Sequence, residues 1–124
     1  MRKQALVPKV KHHRWKFPLV TCRVYDADTL MEMKLDLGFG ITFETTGRLY
    51  GINAPEVRGK EKKEGIIARN WLNAKIAAAH EVLIQTRSPY RRGKFGRWLI
   101  VVIADGVNLN EQLVNEGYAT WSTY

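Results

Sequence analysis

The segment RLYGINAPE, Arg48 to Glu56, sets a guanidinium, an amide and a carboxylate around one proline turn. Upstream, YDADTL carries Asp26 and Asp28; downstream, GKFGRW carries Arg97. Each has an ordinary explanation taken singly. Asp-x-Asp-Thr is common turn composition, the Arg48 stem can cover an apolar edge, and Glu56 and Arg97 can belong to solvated loops. Together they match what hydrolysis of a phosphodiester requires. A carboxylate accepts the proton of an attacking water. Two arginines grip phosphate oxygens and stabilise the charge that grows in the transition state. Aspartate offers a hard oxygen ligand to Ca²⁺ or Mg²⁺.

These residues need strand ends and turns to hold them. From Leu19 the sequence alternates, with Val20, Cys22 and Val24 on one face and Thr21, Arg23 and Tyr25 on the other. Asp26-Ala27-Asp28 is a turn, and Met31, Met33, Leu35 and Leu37 resume the alternation. Gly38 and Gly40 end it. A third strand starts at Ile41 and Phe43, and Thr-Thr-Gly bends it before Arg48 to Ile52; Gly47 and Gly51 suggest a bulge or a close backbone approach. Ile67, Trp71, Ala74 and Ala78 recur at helical spacing, beside Ile66, Leu72 and Ile76, predicting one long helix near Gly65 to His80. His80 then suits the helix dipole and is not counted as catalytic. Glu81 to Thr86 and the apolar run Trp98 to Ala104 read as strands, with Asp105-Gly106 as a hairpin turn. Asn108 and Glu111 have capping-box spacing for a short helix that Gly117 stops. The order is α+β, mainly β. Five glycine-bent strands with one long and one short helix suggest a small OB-type barrel.

Length and charge bound the partners. The 124 residues fit one domain, with a basic N-terminal arm expected over 1–17 and the barrel domain over 18–124. The net charge of +8 favours a polyanion, DNA or RNA before an acidic protein. The single cysteine, Cys22, excludes an internal disulfide and multi-cysteine metal sites, and its apolar position reads as a buried thiol. No run is long enough to span a membrane, so no membrane partner is expected. The N-terminus lacks the apolar stretch of a secretory leader, and a cytoplasmic location is the expectation.

At this point the chain resembles the staphylococcal nuclease, or thermonuclease-like, family, from about Leu19 onward. VYDADTL is similar to the family's first hairpin, RLYGINAPE to its Arg–strand–Asp-x-Pro-Glu segment, GKFGRWL to the segment of its second arginine, and IADGVNLNEQLVNEGYA to its hairpin and short helix. The resemblance implies a Ca²⁺-dependent nuclease with little sequence preference. Asp28, the Asn53 side chain and the Ala54 carbonyl would be metal ligands, Arg48 and Arg97 would contact the scissile phosphate, and Glu56 would be the general base. Lys60, Lys62, Lys63, Arg91, Arg92 and Lys94 would steer the nucleic acid.

The sequence departs from the family at several points. Asn53 and Ala54 replace the usual aspartate and threonine, so weak Ca²⁺ binding is expected. Gly93 and Phe95 replace an aspartate and a tyrosine of the best-known member. The chain ends at Tyr124, before that member's further helix, leaving the surface to the N-terminal arm, to solvent or to a second copy in a homo-oligomer. A rival reading keeps the fold and abandons catalysis: a nucleic-acid-binding OB module with a degenerate metal site. The presence of Arg48, Glu56 and Arg97 together favours the enzyme.

Overall fold

Alternating residues in the first half of the chain build three long strands, β1 (Lys16–Asp26), β2 (Thr29–Gly38) and β3 (Ile41–Leu49). The computed structural model describes residues 4–6, 15–87 and 96–123. A short β4 (Ile52–Asn53) follows, then a 3₁₀ turn over Gly59–Glu61 and the long helix α1 (Lys62–Ala78). β5 (Val82–Thr86), β6 (Trp98–Ala104), β7 (Val107–Asn108), α2 (Leu109–Asn115) and β8 (Thr120–Trp121) complete the order.

The barrel runs β3-β2-β1-β5-β6, antiparallel until β6 pairs with β3 in parallel and closes it. Five strands, one long helix and one short helix form the expected α+β, mainly β, OB-type barrel. Closure brings Gly47 opposite Trp98 and Leu49 opposite Ile100. A Cβ on Gly47 would run into the side chains of Ile100 and Met33, so this glycine permits the close approach that its position in a strand suggested. Leu30, Met33, Leu49, Ile84, Ile100 and Val102 fill the interior, and Leu72, Leu109 and Leu113 plug it from the helices.

Several local expectations shift. The alternation slips phase at irregularities in the β1–β2 pairing near Leu19 to Arg23. Leu19, Cys22 and Val24 face the core there, while Val20 is exposed. A second slip in β2 surrounds Glu32, whose φ is +51°, and it puts Leu30 and Met33 inside in place of Met31. α1 starts and ends earlier than its apolar spacing suggests. It buries Gly65, Ala68 and Leu72, leaving Ile67, Ala74 and Ala78 exposed. Lys16 and Phe17, placed in the arm by composition, already pair with Gln85 and Ile84. Cys22 is partly buried, and burial pushes its thiol up.

Two polar clamps hold the connections. The Asn110 Oδ1 accepts from Val102 N–H at 3.0 Å, and its Nδ2 donates to the carbonyls of Tyr50 and Ile100 at 3.0 and 3.1 Å. That amide ties α2 to β6 and to the corner entering β4. Asp105 and Gly106, both at positive φ, turn the β6–β7 hairpin. The Asp105 carboxylate accepts from Glu81 N–H at 2.9 Å and His80 N–H at 3.1 Å. Asn108 Oδ1 accepts from Glu111 N–H at 3.1 Å, the expected cap of α2, and Gly117 turns the chain beyond it at φ +82°. Among the described residues, no helix is long and apolar enough to cross a membrane.

Candidate active site

The β1–β2 turn and the end of β3 meet at one end of the barrel because their backbones are joined. Leu49 N–H donates to the Asp28 carbonyl at 2.9 Å. The parallel pairing of β3 with β6 then brings the residue preceding Trp98, Arg97, to the same end. A cavity of about 680 Å³ opens there, lined by Asp26, Asp28, Arg48, Asn53, Ala54, Glu56 and Arg97. All six residues that the family resemblance implies for catalysis or metal binding thus line one cavity. A separate apolar cavity of about 320 Å³, lined by residues such as Phe17, Leu35 and Phe43, includes none of them.

Arg48 is buried, and its orientation is fixed from several sides. Its Nη2 donates to Asn53 Oδ1 at 2.7 Å and its Nη1 to the Leu49 carbonyl at 3.1 Å. Nη1 also lies 3.4 Å from Asp28 Oδ2. A buried guanidinium needs such a compensating carboxylate. Asp28 serves the turn as well: its Oδ2 accepts from Ala54 N–H at 2.8 Å, and its Oδ1 accepts from the Thr29 hydroxyl at 3.1 Å. Arg97, half-buried, has Nη1 at 3.5 Å from Thr29 Oγ1, a long contact. Arg97, Thr29, Asp28, Arg48 and Asn53 therefore form one connected polar wall. Glu56 is exposed just beyond Pro55, on the solvent side of the cavity.

Asp26 lies beside Asp28, its Oδ1 accepting from Asp28 N–H at 3.2 Å. Burial, then the neighbouring Asp28 carboxylate, pushes the Asp26 carboxyl up to about 7. Among the described residues, no three His, Cys, Asp or Glu side chains converge as a metal cluster. The donors available are the Asp28 carboxylate, the neutral oxygens of the Asn53 side chain and the Ala54 carbonyl, and the Asp26 carboxyl beside them. Hard oxygens of this kind fit a calcium-type dication, with one anionic ligand fewer than an aspartate at position 53 would give. The Asn53 oxygen also serves Arg48, so a cation would share it with that guanidinium.

Lys60, Lys62 and Lys63 are exposed on the 3₁₀ turn and the start of α1, outside the lining of this cavity. Arg91, Arg92 and Lys94, with Gly93 and Phe95, lie outside the described residues. The structure adds cavity residues that sequence reading did not single out: Tyr25, Thr46, Val57 and Arg58. Arg58 sits with its guanidinium carbon 5.9 Å from the centre of the Tyr25 ring. Its segment, VRGKEKKEG, is so charged that no spacing distinguishes this arginine from its neighbours.

A family model described as staphylococcal nuclease homologue matches residues 46–124, well over half of the chain. The match spans Arg48, Asn53, Ala54, Glu56 and Arg97; the Asp26–Asp28 turn precedes it. No curated protein matches the chain.

Proposed function

Because the chain belongs to the family of staphylococcal nuclease homologues, we propose that it hydrolyses phosphodiester bonds of DNA or RNA, with little sequence preference, in the cavity lined by Arg48 and Arg97. The observation that carries this reading is the convergence of two arginines and Glu56 on one cavity. Arg48, held by Asp28 and Asn53, needs little reorganisation to meet a phosphate oxygen. Arg97 stands on the same polar wall, linked to Arg48 through Thr29 and Asp28. Glu56, open to solvent, accepts a proton from water as the water oxygen attacks phosphorus and the bond to the leaving sugar oxygen breaks. Asp28, the Asn53 amide oxygen and the Ala54 carbonyl, with Asp26 beside them, would hold Ca²⁺. When bound, such an ion supplies Lewis acidity toward a phosphoryl oxygen.

The amide at position 53 favours a second reading, a nucleic-acid-binding module without turnover. Cleavage of a single-stranded oligonucleotide, with Ca²⁺ and with EDTA, separates the two. The nuclease reading expects Ca²⁺-dependent fragments and a loss of about 10²–10³ in kcat for Arg97→Ala, comparable to losing one preorganised transition-state donor. Near wild-type turnover by a folded Arg97→Ala protein would overturn the assignment. Binding with no fragments under any metal condition would establish the module.

A further inference from the structure

A second groove leaves the site cavity on the far side of Tyr25. It has a volume of about 730 Å³ and is lined by Arg23 and Tyr25 of β1, by Val57, and by Arg69, Asn70 and Asn73 of α1. Tyr25 and Val57 line both spaces, so the groove continues the cavity. Among the described residues, no carboxylate lines it. Arg69 and Asn73 lie one helical turn apart on the same face of α1. The Arg69 guanidinium donates to Asn70 Oδ1 at 3.4 Å. Arg23 lies 3.5 Å from Glu32, but both side chains are more than half exposed, and a pair of this kind holds its charges weakly. Arg58 over the Tyr25 ring marks the passage between the two spaces.

We infer that this groove is a subsite for a single-stranded polynucleotide, taking the phosphates that flank the scissile bond as the strand leaves the cavity. The inference rests on the proposed nuclease reading for the strand's origin, and on charge complementarity and continuity for its path. Cationic walls track a phosphate backbone. Asn70 and Asn73 offer amides to backbone oxygens or base edges, and they add no charge that a phosphate would oppose. The lysines of the 3₁₀ turn and the start of α1 do not line this groove; their field reaches the strand from outside.

The test compares a fluorescent single-stranded DNA decamer with a fluorescent dinucleotide, by anisotropy in EDTA, for the full chain and its Arg69→Gln variant. A single-strand phosphate contact contributes about 0.7 to the slope of log affinity against log salt, so its loss weakens binding about fivefold at about 0.1 M salt. Arg69→Gln should weaken the decamer by that factor and flatten its salt slope, leaving dinucleotide affinity unchanged. Arg69→Lys should restore the slope. Equal losses on decamer and dinucleotide, or wild-type decamer affinity in Arg69→Gln, would overturn the groove. Cleavage assayed separately judges the nuclease reading, because the binding comparison needs no turnover.

Discussion

At the scale of single residues, the departure that matters most is Asn53. Its side-chain oxygen accepts from Arg48 Nη2 at 2.7 Å, so it acts first as an anchor for the clamp. An aspartate would keep that contact as a charge-assisted one and add an anionic oxygen beside Asp28. Asn53→Asp should tighten Ca²⁺ binding and move the Ca²⁺ midpoint of cleavage to lower concentration; calorimetry of the metal-free protein reads the first effect without turnover. An unchanged midpoint in both measurements would remove Asn53 from the metal site. The residue types in YDADTL, RLYGINAPE and GKFGRW were enough to single out this cluster, and the family resemblance supplied the separate roles. The hydrogen bond between Arg48 and Asn53 was not legible, because an amide before Ala-Pro is equally a turn residue. Arg58 was invisible for another reason: one arginine among many charges has no signature until a fold sets it over Tyr25.

Elements decide whether those residues stay in place, and α1 does so through Gly65. A glycine inside a helix costs about 1 kcal/mol relative to alanine. Here a Cβ would overlap the carbonyl of Glu56 and lie 2.8 Å from Val57 N. α1 therefore rests directly on the backbone that carries the candidate base. Gly65→Ala should lower stability by about 1–3 kcal/mol, as overpacking does, and reduce kcat at least tenfold by displacing Glu56. A variant with unchanged melting temperature and turnover would show that the helix does not fix this loop. The same contact explains why the apolar stripe through Ile67 misjudged the buried face: backbone apposition at Gly65 sets the helix rotation, and Ile67 is left outside. Strand existence was readable from alternation, but bulges near Thr21 and Glu32 reset the phase, and no residue type announces them. The Asp105 clamp gives a pH-dependent counterpart. Hydrogen bonds from Glu81 N–H, then His80 N–H, hold its carboxyl below the usual range. A lowered folded pKa means stability present above the unfolded value, near about 4, and lost as pH falls through the folded one. Thermal melts of wild type against Asp105→Asn, which keeps an oxygen acceptor and tolerates positive φ, should differ at neutral pH and converge in acid. A gap constant with pH would deny the charge any part.

For the molecule as a whole, the excess of 20 Lys and Arg over 12 Asp and Glu acts at a distance as well as in contact. Lys62 and Lys63 are exposed and line neither the site cavity nor its continuation, so under the proposed function they would act as a field that draws a strand toward the barrel end. Steering of this kind speeds association and leaves dissociation nearly untouched. It also decays with the Debye length, about 10 Å at 0.1 M salt and about 3 Å at 1 M. Arg69, which lines the groove, should affect lifetime as well as encounter. Lys62→Gln with Lys63→Gln should therefore lower the association rate for a single-stranded decamer several-fold at about 0.05 M salt, with the difference fading as salt approaches 1 M. Its dissociation rate and its cleavage of a dinucleotide should stay at wild-type values. Stopped-flow anisotropy across a salt series separates the two rates. A faster dissociation rate at every salt would make these lysines direct phosphate contacts, and an unchanged association rate at low salt would reduce them to a solvated face.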